Sequence, residues 1–145
     1  MEKRKGVDLL IKGYLQYKSR GGKKKLILGG KMQEEEINQI VRSAMMLDED
    51  ITYLDYVTHD KKHELYASMS AFVFPSKAEG FGMPIIEVMR FKKPIIASNL
   101  PIFDEITDGN INTFNIRCNE YEQINILQMN YCHIIQRLIQ KHMQM

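Results

Sequence analysis

The sequence predicts an α/β fold with a parallel sheet and helices on both of its faces, and three observations support this. Short apolar runs alternate along the chain with segments whose apolar residues recur three and four apart. The runs are unbroken, as expected of strands that are buried on both faces. One of them ends in a glycine-rich loop that leads into a helix, which is where open α/β sheets bind their ligands. Such alternation produces βα units around a parallel sheet.

Length and charge limit the class of protein. A chain of 145 residues is one domain by size, and its net charge of +2 argues against a dedicated nucleic-acid binder. Cys118 and Cys132 are too few for a disulfide framework, so free thiols are the default. No apolar run approaches the length of a membrane span, and the first residues lack the apolar stretch of a signal peptide. We therefore expect a cytoplasmic protein.

The predicted elements follow from apolar spacing and from glycine and proline positions. A helix starts near residue 6 with no strand before it, because the apolar residues between Val7 and Leu15 recur at helical spacing. Further helices are predicted over 32–47 and, capped by Asp60, over 60–69, with a helical turn over 101–106. Strands are predicted over 26–28, 51–54, 71–74, 94–97 and 111–115.

The tail is predicted to be one amphipathic C-terminal helix over residues 119–145, after a domain that covers residues 1–118. Its apolar residues form a single stripe: Ile124, Leu127, Tyr131, Ile134 and Leu138. The stripe favours packing on the chain's own sheet, and contact with a partner helix is the alternative.

The central stretch begins with the strand over 71–74, which ends at Pro75. The loop after it contains Gly80 and Gly82, which lack a Cβ and let the backbone approach a ligand. Pro84 suits the first turn of a helix, where a missing N–H costs nothing. We therefore expect the amides of Gly82 and Met83 to point at a group in front of this helix, whose dipole favours an anion.

Two glutamates, Glu79 and Glu87, bracket this loop. Taken alone, Glu79 is typical of a solvated loop charge and Glu87 of an acid favoured by the helix dipole. Glu87 could also accept two hydrogen bonds from a diol. Phe81 is either a buried anchor of the loop or a ligand contact, and Ser76 is predicted to bond the loop backbone.

This stretch resembles the C-terminal domain of retaining nucleotide-sugar glycosyltransferases of the GT-B type. The matching residues are Pro75-Ser76, Glu79-Gly80-Phe81-Gly82-Met83-Pro84 and Glu87, with further matches at Lys5-Gly6, 94–98 and Glu105-Ile106. The resemblance runs from about residue 3 to residue 110. It implies that residues 1–118 are a Rossmann-like, nucleotide-sugar-binding domain, the C-terminal half of a GT-B fold.

The resemblance also implies roles for individual residues. Lys5 would contact the donor's diphosphate while Arg4 points elsewhere, Glu79 would lie against the donor sugar, and Glu87 would hold the ribose. Fixed cations and a helix N-terminus would steady the diphosphate, so neither a metal nor another cofactor is expected. The remaining predicted binding residues are Gly80, Phe81, Gly82 and Met83, with Tyr56 and Val57 as candidates for the nucleobase pocket.

Two patterns could suggest a metal site, and we interpret neither as one. Asp48 and Asp50 form an Asp-x-Asp pair, but they precede a strand instead of following one, which favours a solvated turn. His59 and His63 lie four apart, but a helix that starts at Asp60 leaves His59 outside it.

A parallel sheet normally begins with a strand, and here the first strand is missing. By the resemblance, that strand carries an arginine upstream of Lys5, and an N-terminal acceptor-binding domain precedes it. In the doubly wound order this strand is interior, so its absence would expose two unpaired edges and leave a gap in the core. The expected partners are therefore a nucleotide-sugar donor and that N-terminal domain, or a separate chain that supplies it. Any peripheral membrane association would run through that domain.

We therefore predict the donor-binding part of a retaining glycosyltransferase that moves a hexose from a UDP-, GDP- or ADP-sugar to an acceptor hydroxyl. Without an N-terminal domain, this chain is expected to transfer no sugar. The alternatives are a non-catalytic nucleotide-sugar-binding module and a gene fragment without function.

Overall fold

The structure, a computed structural model, describes residues 1–115. The predicted helix over 119–145, the boundary at 118 and both cysteines lie outside the described residues. The helices are a 3-10 turn at Lys3–Lys5, α1 at Val7–Ser19, α2 at Glu35–Leu47, α3 at His59–Ser68, α4 at Met83–Met89 and α5 at Pro101–Thr107. The strands are β1 at Leu26–Gly29, β2 at Ile51–Leu54, β3 at Phe72–Phe74, β4 at Ile95–Ser98 and β5 at Asn112–Phe114.

The order of elements confirms the predicted α/β fold, and every strand pair is parallel. The start of α3 differs from the prediction. Thr58, not Asp60, is its N-cap, and the Thr58 hydroxyl accepts a hydrogen bond from the Lys61 amide at 3.3 Å. A threonine oxygen satisfies one of the first free amides of a helix, so the helix gains a residue at its start and includes His59.

The strands form two separate sheets. One has the order β1-β2 and the other the order β3-β4-β5. Within residues 1–115, no strand pairs with the second edge of β1 or with the second edge of β3. In the described part of the chain, β1 and β3 therefore each have one unpaired edge.

Helices cover both faces of the second sheet, as predicted. Val73 packs against the first hydrophobic core, which is formed by residues of α1, α2, β1 and β2. Its neighbour Phe72 points the other way, and its ring lies 5.9 Å from that of Tyr66 in α3. Successive residues of one strand thus meet different helical layers. None of the helices within residues 1–115 is both long enough and apolar enough to cross a membrane.

The first six residues dock onto the loop that follows β3. Gly6 has φ of +67°, and a Cβ there would overlap the carbonyl oxygen of Pro75. The Lys77 amide donates to the Arg4 carbonyl at 2.7 Å. On the other side, the Gln33 amide donates to the Met1 carbonyl at 3.2 Å. This N-terminal segment therefore connects the carboxyl ends of β1 and β3.

Candidate functional site

The first part of the candidate site is a group of polar residues that we call the Glu79 cluster: Arg4, Lys5, Ser76 and Glu79. The Glu79 side chain is only 9% exposed. Its Oε1 accepts hydrogen bonds from Lys5 Nζ at 2.5 Å and from Ser76 Oγ at 2.7 Å. Glu79 is therefore a partly buried, paired carboxylate, and the reading of it as a solvated loop charge is wrong.

Arg4 also belongs to this cluster, contrary to the expectation that it points elsewhere. Its Nη1 donates to the Ala78 carbonyl at 3.2 Å and lies 3.9 Å from Glu79 Oε2. Its Nε pairs with Glu2 at 2.6 Å. The docking of the N-terminal segment explains the error, because the Lys77 amide donates to the Arg4 carbonyl at 2.7 Å and holds residue 4 against the loop after β3. Two cations thus flank one buried carboxylate.

Ser76 fixes the loop, as predicted. Its hydroxyl lies 3.1 Å from the Ala78 carbonyl and 3.2 Å from the Arg4 carbonyl, besides its bond to Glu79. The Ser98 hydroxyl of β4 donates in turn to the Ser76 carbonyl. Both serines are fully buried. Ser98, which sequence reasoning missed as a supporting residue, ties the loop to the neighbouring strand.

The second part of the site, the Glu87 cluster, consists of Lys62, Tyr66 and Glu87. Lys62 Nζ lies 2.8 Å from one carboxylate oxygen of Glu87, and the Tyr66 hydroxyl donates to the other at 3.0 Å. Burial raises the pKa of Glu87, but the hydrogen bonds from Lys62 and Tyr66 outweigh it and leave the pKa below its ordinary value. Burial, then the bond to Glu87, raises the pKa of Tyr66. Glu87 is therefore ionised at neutral pH.

Sequence reasoning missed both partners of Glu87, although one signal was present. Lys62 and Tyr66 lie four apart in α3, so they share one helical face. A cation and a phenol on one face of a helix are a plausible pair of donors to an acid on a neighbouring helix. Which acid they contact, however, depends on how α3 and α4 pack together, and the spacing of residues within α3 does not predict that packing.

The loop between the two clusters presents exposed apolar side chains. Phe81 is 53% exposed and Met83 is 54% exposed, so Phe81 is not a buried anchor of the loop. Gly82 is the N-cap of α4 at φ +81°, and a Cβ there would lie 2.8 Å from the Phe103 ring. A Cβ at Gly80 would meet nothing within 4 Å. Gly82 therefore has a structural reason to be glycine that does not involve a ligand.

A cavity of about 830 Å³ lies beside these clusters and extends between the two sheets. At the carboxyl ends of the strands it is lined by predicted site residues: Lys5, Tyr56, Val57 and Glu87. Glu79 and the loop from Gly80 to Met83 do not line it. Tyr56 is 84% exposed, whereas Val57 packs near Gly29. The predicted residues thus lie in one region of the molecule, in two groups: the cavity mouth and the loop after β3.

The residues considered for a metal are accounted for by other contacts. Asp50 pairs with Lys18 at 2.6 Å and lies 3.7 Å from Lys25, and Asp48 accepts from the Asp50 amide, so this is an ion-paired turn and not a freely solvated one. A hydrogen bond from Lys18 lowers the pKa of Asp50. His59 and His63 share α3 with ring centroids 4.2 Å apart. The described residues contain no cluster of three or more potential metal ligands.

Comparisons with known proteins identify the family of the chain. The family model described as glycosyl transferases group 1 matches residues 1–126. The O-antigen biosynthesis glycosyltransferase WclY of Escherichia coli is 31% identical over 118 residues, which are 81% of this chain and 31% of that protein. The serotype-specific mannosyltransferase WbdA of Escherichia coli is 31% identical over 108 residues, 73% of this chain and 13% of that protein. The chain thus spans at most about a third of these relatives.

Solved structures share the fold. HepE of Anabaena, in complex with UDP-glucose, aligns with a TM-score of 0.74 at 21% identity over 90% of this chain and 36% of that one. The C-terminal domain of the glycosyl transferase group 1 protein LpcC of Francisella tularensis aligns with a TM-score of 0.70 at 22% identity, covering 91% of this chain and 71% of that one. These alignments confirm a Rossmann-like α/β fold of the GT-B kind. By the family model and by its curated relatives, the chain belongs to the glycosyl transferases group 1 family.

Proposed function

We propose that this chain is the donor-binding part of a retaining glycosyltransferase that moves a hexose from a nucleotide diphosphate sugar to an acceptor hydroxyl. One observation carries the proposal: Lys5 and Glu79 lie 74 positions apart and meet at the carboxyl end of β3, beside the cavity that Glu87 also lines. Ligands of open α/β sheets bind at this end of the strands. The relatives named O-antigen transferases and the UDP-glucose complex of HepE support a nucleotide-sugar ligand.

The proposed roles follow from charge and position. A diphosphate carries negative charge that grows as the sugar leaves, and fixed cations near it stabilise the departing group. Lys5 and Arg4 supply two such cations, and the amides of Gly82 and Met83 would add hydrogen bonds. Glu79 would accept hydrogen bonds from the sugar's hydroxyls. Glu87, held in its ionised form, would accept two from the ribose.

The donor has to change the contacts of Lys5. In the structure Lys5 Nζ donates to Glu79, and Glu87 accepts from Lys62 and Tyr66. A diphosphate placed near Lys5 would draw the ammonium from Glu79, and the freed carboxylate could then bond the sugar. Donor binding would thus replace the contact between Lys5 and Glu79 with two contacts, one from Lys5 to the diphosphate and one from Glu79 to the sugar. No metal is required for this exchange. We also propose an acceptor-binding N-terminal domain, which the family resemblance implies, and a cytoplasmic location, which was expected from the composition of the sequence.

Calorimetric titration of the purified chain with UDP-glucose tests the proposal. GDP-mannose and ADP-glucose serve as the competing donors, because the residues do not select among bases. Binding is expected for one donor, and the Lys5→Met variant is expected to weaken it on the order of tenfold or more, as loss of a charge-assisted contact does. Lys23→Met is the matched control, since Lys23 is an exposed lysine in the turn before β1. Equal effects of both variants, or no binding of any donor, would contradict the proposal.

A second candidate is a nucleotide-sugar-binding module that transfers nothing by itself, and the partial span of the relatives favours it. Incubation of the chain with the bound donor and with lipid-linked or free sugar acceptors tests the expectation that both candidates share, that the chain alone transfers no sugar. Release of the nucleotide diphosphate together with a glycosylated acceptor would show that the chain is active alone. Binding without any such product is the outcome that we expect.

A further inference from the structure

We infer that Asp55 selects the nucleobase of the donor, and that the base which its carboxylate fits is guanine. The inference rests on the proposed donor-binding function and extends it to the choice of nucleotide. None of the residues given a role above distinguishes one base from another. Asp55 lies directly before Tyr56 and Val57, and all three residues line the cavity at the carboxyl ends of the strands.

The position of Asp55 matches the base end of a bound nucleotide. Residues 55–57 follow β2 and lead into α3, which begins at His59. Lys62, in the same helix, lies 2.8 Å from Glu87, the residue that we propose for the ribose. The ribose site therefore adjoins the segment that carries Asp55. A base attached to that ribose would lie over residues 55–57.

The carboxylate of Asp55 is oriented by Tyr53. The Tyr53 hydroxyl lies 2.8 Å from Asp55 Oδ1 and 3.1 Å from the Gly30 carbonyl oxygen, so it joins the carboxyl ends of β1 and β2. The Tyr53 ring packs against the first hydrophobic core, which holds the hydroxyl in place. Burial, then the bond to Asp55, raises the pKa of Tyr53, so the phenol keeps its proton and can donate it. A carboxylate has about four acceptor sites on its two oxygens, so both oxygens can still accept when Tyr53 uses one site.

Guanine is the base whose edge complements a carboxylate. Its N1–H and its 2-amino group are adjacent donors that point the same way, and a carboxylate accepts two such parallel hydrogen bonds. Uracil presents one N–H between two carbonyl oxygens, and adenine presents an amino group beside an acceptor nitrogen. Either base would place an acceptor against the carboxylate and leave part of its charge without a donor, which is unfavourable in a site that excludes water.

Tyr56 supplies affinity that does not depend on the base. Its ring is 84% exposed and directly follows Asp55, so it can cover a base whose edge faces the carboxylate. Stacking on an aromatic ring is possible for every base, because each base has a π-face. The choice among bases would therefore come from Asp55.

Calorimetric titration of the full chain with nucleoside diphosphates that carry no sugar tests the assignment. GDP is expected to bind about tenfold or more tightly than inosine diphosphate, whose base lacks only the 2-amino group, and more tightly than UDP and ADP. Equal affinity for GDP and inosine diphosphate, or tighter binding of UDP or ADP, would overturn the inference and leave the donor-binding function in place. Binding of none of these four nucleotides would contradict the proposed function itself, and the inference with it.

The Asp55→Asn variant gives a second measurement, because an amide accepts one hydrogen bond and donates the other. The variant is expected to bind GDP about tenfold or more weakly and to bind xanthosine diphosphate more tightly than the unmodified chain does. Xanthine has a carbonyl oxygen in place of the 2-amino group, so it can accept from the amide. The amide oxygen can still accept from Tyr53, so the contact between the ends of β1 and β2 is retained.

Asp60→Asn is the matched control, because Asp60 is an exposed acid in the first turn of α3 and does not line the cavity. It should change the affinity for none of the nucleotides by more than about twofold. If Asp55→Asn weakened every nucleotide equally, or if xanthosine diphosphate gained no affinity, the carboxylate would not contact the edge of the base. Either result would overturn the assignment of guanine.

Discussion

The Glu79 and Glu87 clusters both hold an acid between a cation and a hydroxyl, but they are assembled in different ways. The partners of Glu79 include Lys5 and Arg4, which reach it across 74 and 75 positions of sequence through the docking of the N-terminal segment. The partners of Glu87 lie 21 and 25 positions earlier, on α3 alone. The Glu79 cluster therefore depends on the N-terminal segment staying in place. The Glu87 cluster depends only on the contact between two helices.

This difference matters for ligand binding. A donor that needs Lys5 needs the N-terminal segment as well, and that segment connects the carboxyl ends of β1 and β3. The two clusters can therefore be compared by perturbing each of them in turn. Changes at the N-terminal segment should affect stability most, changes at Glu79 less, and changes at Glu87 least.

The largest effect is expected from Gly6→Ala. A Cβ at this position would overlap the Pro75 carbonyl oxygen, and φ is +67°. The substitution should lower the free energy of unfolding by about 3–5 kcal/mol or abolish folding, because the main chain of the N-terminal segment has to move away from the loop. Urea denaturation measures the loss.

Two glycine variants control for backbone effects alone. Gly21 also has a positive φ, of +86°, but a Cβ there would meet nothing, so Gly21→Ala should cost only about 1 kcal/mol. Gly80 has neither a positive φ nor an atom close to its Cβ position. Gly80→Ala should therefore change the free energy of unfolding by no more than about 0.5 kcal/mol. A cost of Gly6→Ala no greater than that of Gly21→Ala would mean that the N-terminal segment gives way easily, and the proposed distinction between the clusters would fail.

The second largest loss of stability is expected from Glu79→Gln. The carboxylate is 9% exposed and accepts bonds from Lys5 and Ser76, so its neutralisation leaves two cations near a group that no longer balances them. We expect a loss of about 1–3 kcal/mol in the free energy of unfolding. Glu36→Gln is the matched control, because Glu36 pairs with Lys3 on the surface and should lose less than about 1 kcal/mol. Thermal unfolding of both variants in the same buffer gives the comparison, and equal midpoints would contradict it.

Much of the fold follows from local pattern, and the reason is physical. Apolar runs and helical spacing predicted the five strands within residues 1–115 and the helices between them, since burial on two faces leaves a direct trace in the sequence. The predicted cap at Asp60 was wrong because Thr58 and Asp60 are both good N-caps, and only the approach of the chain decides between them. Arg4 was misplaced because the left-handed conformation of Gly6 and the docking on Pro75 set its direction.

The candidate site was harder to predict from the sequence, because its contacts join elements that are far apart along the chain. The loop motif identified Glu79 and Glu87, and the family resemblance added Lys5, but none of these signals contains the partners of the acids. Lys62 and Tyr66 meet Glu87 only because α3 and α4 pack side by side, and Ser98 supports Ser76 only through the pairing of β3 with β4. Contacts between separate elements depend on how those elements pack, and a pattern within one segment of the sequence does not predict that packing.

The smallest effect is expected at the Glu87 cluster, and it should appear as a dependence on pH. Burial raises the pKa of Glu87, the bonds from Lys62 and Tyr66 lower it more, and the folded-state pKa is therefore below that of the unfolded chain. Such a group stabilises the folded state above its unfolded pKa, and the stabilisation is lost as the pH falls through the folded value. Glu87→Gln should cost less than about 1 kcal/mol at pH 7, since the pair is partly exposed.

The same variant should flatten the pH dependence of the unfolding midpoint between about pH 5 and pH 3, where the unfolded carboxylate takes up its proton first. Asp50, whose pKa is also lowered, titrates in both proteins, so the difference between the two curves isolates Glu87. Lys62→Met removes the cation and should flatten the curve in the same direction. If Glu87→Gln left the slope unchanged, the bonds from Lys62 and Tyr66 would not be what keeps Glu87 ionised, and the account of the Glu87 cluster would fail.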